Sequence, residues 1–417
     1  MKFDPASEIQ NFLVFGEFGD VNPSICDSST YTFLSVAKME ELFEHEVEGC
    51  FLYSRHWNPT NRYLSEALAR MESGESAQVM ASGMAAISST LLQLCSSGDE
   101  IVSGRTIYGG TYALLANLLP RFGITTRFVD LCDEQAVRAA MAPRTRVLCC
   151  ESLSNPLLEV SDIPKLASVA KEHGVQLVVD NTFSPLILSP LRLGADVVVH
   201  SMTKFINGTS DCVAGCVVSS HDFVSRLNDI NCGPSMLLGP VLDSIRAASI
   251  LKNLHSLHLR MARHSANALY IARRLKEMGL TVYYPGLEGH PQHQLISRLM
   301  NPGFGFGGIV AVDVGDKATA DRLMMGMQEE KVGYLAVSLG YFKTLFSAPG
   351  HSTSSEIPAE ERRRIGMSDG LIRFSLGLDN DIERTWEMLN GCLRKLGICG
   401  SDSTDTEARR ARSRKAG

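Results

Sequence analysis

Between residues 77 and 218, short apolar runs alternate with amphipathic stretches, and this pattern restricts the fold more than any other feature of the chain. The runs fall at 77–80, 100–103, 125–129, 146–150, 176–179, 196–200 and 213–218, with helical spacing at 84–96, 111–121, 133–141 and 162–173. A strand that is apolar throughout needs cover on both faces, and helix-length connections join parallel neighbours. The expected class is therefore α/β, with a mostly parallel sheet between helical layers. A long helical stretch over 239–278 then leads into a smaller α+β pattern, with strands near 280–284, 308–314, 335–338 and 371–376 and helices near 318–330 and 380–396. This divides the chain into an N-terminal arm (1–60, with a helix at 36–46), a main domain (61–250), a C-terminal domain (251–396) and a tail (397–417). The tail has almost no apolar residues and is expected to be disordered.

Composition excludes several functions. A formal net charge of −6 over 417 residues leaves no electrostatic footprint for nucleic acid. No apolar run reaches the roughly 18 residues that span a bilayer, and the first residues lack the basic-then-apolar pattern of a signal peptide. The 11 cysteines are odd in number, form no C-x-x-C, and several lie inside apolar runs. They read as reduced thiols of a cytoplasmic protein. Cys212 and Cys216 fall on a strand, and a proline interrupts His290 and His293, so no metal site is expected.

In an open α/β sheet, ligands bind beyond the carboxyl ends of the strands. The residues just past each apolar run are Ser82-Gly83-Met84, Tyr108-Gly-Gly-Thr111, Glu151 to Asn155, Asp180-Asn-Thr182, and Ser201-Met-Thr203-Lys204. Singly, each has an ordinary explanation: a cap, a turn, a solvated lysine. Together they bring a carboxylate, a lysine, a phenol, hydroxyls and a helix N-terminus to one crevice. The helix start offers unpaired N–H groups to an anion. That set suits pyridoxal 5'-phosphate: the phosphate on the helix N-terminus with Ser201 and Thr203, the aldehyde on Lys204, and the pyridinium nitrogen on Asp180. Ser201-Met-Thr-Lys204 also fits the S-x-x-K motif of acyl-enzymes, but that motif opens a helix and has companion motifs missing here.

Longer motifs carry a resemblance. Tyr53-Ser-Arg-His-Trp-Asn-Pro-Thr60, Ser82-Gly-Met-Ala-Ala-Ile87, Tyr108-Gly-Gly-Thr111, Val179-Asp-Asn-Thr-Phe183, Tyr284-Pro-Gly-Leu287 and Leu371-Ile-Arg-Phe-Ser-Leu-Gly377 appear in order over about 15–396. The chain resembles the trans-sulfuration (Cys/Met metabolism) family of pyridoxal-phosphate enzymes, fold type I. Within that family it is most similar to the plant-type methionine γ-lyases, through Gly286-Leu-Glu-Gly-His-Pro-Gln-His293, Ala336-Val-Ser-Leu-Gly-Tyr341 and Ser352-Thr-Ser-Ser-Glu356. The resemblance implies Lys204 as Schiff-base lysine and proton shuttle, Asp180 as pyridinium partner, and Ser82, Gly83, Met84, Ser201 and Thr203 around the phosphate. It implies that Tyr108 stacks on the cofactor and serves as acid–base at the leaving group. Arg373 would clamp the substrate carboxylate, with Asn155 and Ser338 orienting cofactor and substrate. Tyr53 and Arg55, on the arm, would complete a neighbouring subunit's site, making a homotetramer of active-site-sharing dimers.

The implied activity is γ-elimination on a sulfur amino acid, with methionine giving methanethiol, 2-oxobutanoate and ammonia. The same residues would serve cystathionine γ-lyase chemistry, or γ-replacement on an O-activated homoserine by cysteine, sulfide or a carbon nucleophile. Gly110 stands where bacterial methionine γ-lyases carry cysteine, and Tyr341 where many cystathionine enzymes carry an acidic residue. An uncharged aromatic there favours a short apolar thioether over a second charged amino acid.

Overall fold

The computed structural model describes residues 3–398 except 15, 17, 18, 45, 46 and 48, so nearly all of the expected tail lies outside the described residues. The main sheet contains β1 (Ser76–Met80), β2 (Glu100–Gly104), β3 (Thr125–Val129), β4 (Thr145–Glu151), β5 (Gln176–Asp180), β6 (Val197–His200) and β7 (Gly215–Ser219). Their order is β1-β7-β6-β5-β4-β2-β3, and only β7 runs against its neighbours. The α/β class read from the sequence is the class observed.

Alternation along each strand explains why the runs are apolar throughout. Leu177 and Val179 pack into a core on one face, while Val178 packs into a second core on the other. The edge strand β3 departs from this pattern and leaves Thr125 and Arg127 exposed. Because β2 and β4 are neighbours although β3 intervenes in sequence, the connections diverge and leave a crevice above their carboxyl ends.

The smaller sheet comprises β8 (Thr281–Tyr283), β9 (Ile309–Asp313), β10 (Tyr334–Leu335), β11 (Leu345–Ser347) and β12 (Leu371–Ser375), ordered β10-β11-β12-β9-β8. It differs from expectation in two ways: the strand near 335–338 shrinks to two residues, and β11 adds a strand that the sequence pattern does not predict. The long helix expected over 239–278 is two helices, Ser244–Leu254 and Leu257–Glu277. At the break, the Asn253 carbonyl accepts from Arg260 Nη2 at 3.0 Å and from Ser256 Oγ at 3.1 Å. These side chains compete with the helical ladder. The helix expected over 111–121 passes from α (Gly109–Ala113) to a π turn (Leu114–Leu118) and a 3₁₀ turn (Leu119–Phe122). Pro120 has no N–H to continue the α pattern. Among the described residues, no helix is long and apolar enough to cross a membrane.

Candidate active site

β6 is buried along its length and ends at His200, whose Nε2 meets Glu72 Oε1 at 2.7 Å. The chain then turns, presenting Ser201, Thr203 and Lys204 above the sheet. Lys204 Nζ donates to Ser338 Oγ at 3.1 Å. Burial, reinforced by the nearby Arg373 charge, lowers the Lys204 amine to about 8. On neighbouring β5, Asp180 Oδ1 accepts from Thr182 N at 2.9 Å and from Thr182 Oγ1 at 2.5 Å. Thr182 Oγ1 in turn accepts from Ser201 N–H at 2.8 Å, tying the two strand ends together. Burial pushes the Asp180 carboxyl up, and the Thr182 bonds oppose that shift.

β1 ends at the same edge and leads into the helix Gly83–Leu94. Ser82 Oγ caps it, accepting from Ala85 N at 2.9 Å. The first helical position must be glycine, because a Cβ on Gly83 would stand 2.6 Å from Ser201 Cβ. This close approach brings the helix N-terminus and the Ser201 hydroxyl to one point, as an anion cradle requires. Thr203 Oγ1 is engaged with Ala214, donating to its oxygen at 3.2 Å and accepting from its nitrogen at 2.9 Å.

Tyr108 follows β2 and begins the helix Gly109–Ala113. Its ring lies against Gly110, where a Cβ would come within 2.5 Å of Tyr108 Cε1. Burial, with the Glu356 carboxylate adding to it, raises the Tyr108 phenol, which therefore stays protonated at neutral pH. Arg373, at the centre of β12, is 3% exposed. Its Nη1 donates to Asn155 Oδ1 at 2.9 Å and its Nη2 approaches Ser338 O at 3.4 Å, while Nε is buried without a partner. Burial lowers the guanidinium to about 10.

These groups line one cavity of about 260 Å³. Ser82, Gly83, Met84, Tyr108, Asn155, Asp180, Ser201, Thr203, Lys204 and Arg373 all border it, and Ser338 reaches it through Lys204. Tyr53 and Arg55 do not border it; Tyr53 is 43% exposed, with the Arg55 guanidinium 5.7 Å from its ring centre. Sequence reasoning gave no role to three further groups. Thr182 links Asp180 to Ser201. Thr353 lines the cavity with an unpartnered hydroxyl, and Glu151 lines it as a buried carboxylate. Among the described residues, no three His, Cys, Asp or Glu side chains gather as metal ligands.

The donor set fits pyridoxal phosphate. A glycine-opened helix start faces a serine hydroxyl, a buried carboxylate stands at the next strand end, and a lysine of lowered basicity lies between them. Fold and site together define an α/β pyridoxal-phosphate enzyme. The family described as Cys/Met metabolism PLP-dependent enzymes matches residues 13–387, and the chain belongs to it. A methionine γ-lyase of Arabidopsis thaliana is 45% identical over 92% of this chain and 88% of its own length. An O-succinylhomoserine sulfhydrylase of Pseudomonas aeruginosa is 37% identical over 90% of this chain and 91% of its own. The crystal structure of a cystathionine γ-lyase from Lactobacillus plantarum, complexed with L-serine, superposes with a TM-score of 0.85. It is 30% identical and covers 95% of this chain and 100% of that one.

Proposed function

We propose that the chain catalyses γ-elimination on a sulfur amino acid, with L-methionine and water giving methanethiol, 2-oxobutanoate and ammonia. The observation that carries this reading is the cavity wall. Its lining includes two cations, Lys204 and Arg373, and much of the remainder is apolar: Met84, Ile87, Val213, Val337 and Leu339. Lys204 is committed to the cofactor and Arg373 to the α-carboxylate. A methylthioether then meets apolar side chains, whereas the distal half of cystathionine would bring a second carboxylate with no cation of this lining left to receive it. The similarity to the Arabidopsis methionine γ-lyase supports the same substrate.

When bound, pyridoxal phosphate supplies the electron sink that accepts charge from the substrate carbons. Arg373 fixes the substrate carboxylate by a two-point contact, and Asn155 holds Arg373 Nη1 in place. Lys204, with its amine lowered to about 8, takes and returns the Cα proton. Tyr108, held protonated, donates to the departing sulfur. Tyr53 and Arg55, outside their own cavity, serve the site of a second copy, in a tetramer of two active-site-sharing dimers.

The test is release of 2-oxobutanoate from L-methionine, beside L-cystathionine and O-acetyl-L-homoserine, with and without a thiol. Release from methionine with methanethiol in equal amount is the expected result. Inertness toward methionine, with the homoserine ester consumed only when a thiol is present, would overturn elimination in favour of γ-replacement.

A further inference from the structure

Glu151 ends β4 beside Asp180, its register partner on β5. It is 8% exposed and borders the active-site cavity. No cation lies within bonding distance of it among the described residues. Instead, each oxygen takes one backbone N–H: Oε1 accepts from Tyr108 N at 3.1 Å and Oε2 from Asn155 N at 2.7 Å. The two donors lie 43 residues before it and four after, and both belong to residues that line the cavity. In the function proposed above, Tyr108 serves the leaving group, and Asn155 accepts from Arg373 Nη1, the guanidinium assigned to the substrate carboxylate.

We propose that Glu151 is a positioning residue that sets the distance between the acid acting on the leaving group and the carboxylate clamp. The proposal rests on the reading that Tyr108 and Arg373 face the substrate. A carboxylate is the side chain suited to this place, because both of its ends accept. Glutamine has one acceptor and one donor, and its NH₂ would oppose one of the two N–H groups. The shorter bond is to Asn155, so the amide introduced by Glu151→Gln keeps its oxygen there and turns its nitrogen on Tyr108 N. The bond from Ser161 Oγ to Glu151 O at 2.6 Å holds the backbone of this residue independently of its side chain. Side-chain substitution therefore leaves the strand end in place. Burial and Asp180 raise the Glu151 carboxyl, and its two N–H donors and Arg373 oppose that rise.

The two branches can be read separately. L-Norleucine has the carboxylate and the apolar chain of methionine but no sulfur to expel, so its dissociation constant, followed by cofactor absorbance in the holoenzyme, reports the Asn155–Arg373 branch alone. The turnover number on methionine reports Tyr108 as well. In Glu151→Gln, norleucine affinity should stay within about threefold while kcat falls roughly 10- to 100-fold, the scale of an ångström-sized misplacement of a catalytic group. Glu151→Ala should lose both affinity and kcat. Cofactor absorbance should persist in both variants, because Lys204 and Asp180 are untouched. A Glu151→Gln holoenzyme with wild-type kcat overturns the proposal, as does one in which affinity and kcat fall together with the cofactor lost. Should Glu151→Gln fail to fold, Glu151→Asp, which is too short to reach both N–H groups, is measured in the same two ways, and unchanged values overturn the proposal. If wild-type enzyme is inert toward methionine, the reading of the substrate fails first, and the comparison is made with whichever γ-substituted amino acid the wild type turns over.

Discussion

Lys204 and Arg373 share one cavity, and the charge on each disfavours the charge on the other. For Lys204 the shift is from an ordinary 10.5 down to about 8, with burial the larger cause and Arg373 the second. The sign fixes a pH dependence for cofactor capture. A protonated amine has no lone pair for an aldehyde, so uptake of pyridoxal phosphate by apoenzyme should rise with pH through about 8 and level off above it. The neutral fraction grows roughly tenfold from pH 7 to pH 9 for a group of this basicity. Stopped-flow absorbance on adding the cofactor measures the rate. Replacing Arg373 by glutamine removes the repelling charge, so the midpoint should move upward. A pH-independent rate, or a midpoint near 10, would mean that Lys204 is not desolvated in the apoenzyme.

The loop that follows Glu151 at the end of β4 and leads into the helix Ile163–His173 carries Asn155, and the smaller sheet's side of the molecule braces it. Gln292 acts there as a two-pronged edge. Its Oε1 accepts from Val160 N at 2.8 Å and its Nε2 donates to Val160 O at 2.7 Å. Val160 also bridges to Leu153, so one amide holds the base of the loop. Each such bond contributes on the order of 1 kcal/mol. In Gln292→Ala, amide hydrogen exchange across 153–160 should therefore quicken by about 20- to 30-fold, for roughly 2 kcal/mol of lost local protection. Unchanged exchange there would show the loop to be held without Gln292. This brace shows what local sequence could and could not reveal. Most strands of the main sheet were legible because residues such as Leu177 and Val178 are buried on opposite faces, so consecutive positions in the middle of the run are apolar. Site residues at the ends of those strands followed from the same pattern. By contrast, β11 has three residues, and its register comes from β12 rather than from its own spacing. The break after Leu254 depends on Arg260 reaching back to the carbonyls of Phe205 and Ile206, a tertiary contact. Glu151 is an unremarkable strand-end acid until the fold brings the Tyr108 amide to it.

Within a single chain, the start of the N-terminal arm packs into the main core through Ala6 and Ile9, but the stretch around residues 34–44 is left uncovered. The helix Val36–Glu44 buries none of its residues, and Leu34 and Val36 are 93% and 68% exposed. Tyr53 and Arg55 follow on the same arm, away from their own chain's cavity. Both facts are accounted for if the arm lies against a second copy and brings Tyr53 and Arg55 to that copy's cofactor phosphate. Complementation tests this at the level of the assembly. Lys204→Ala removes the amine from one chain's own cavity, and Arg55→Ala removes the guanidinium offered to the neighbour. In a mixed dimer, one cavity then carries both lesions and the other carries neither. Two inactive proteins dissociated and reassembled in equal amounts should recover about a quarter of wild-type activity, since half the dimers are mixed and half their cavities are intact. Mixing at constant total protein, with each variant alone as control, measures it by 2-oxobutanoate release. Recovery requires that the cavity be built across two chains. If the mixture stays as inactive as its components, Arg55 serves its own chain, and the exposed arm must be covered by something other than a shared active site.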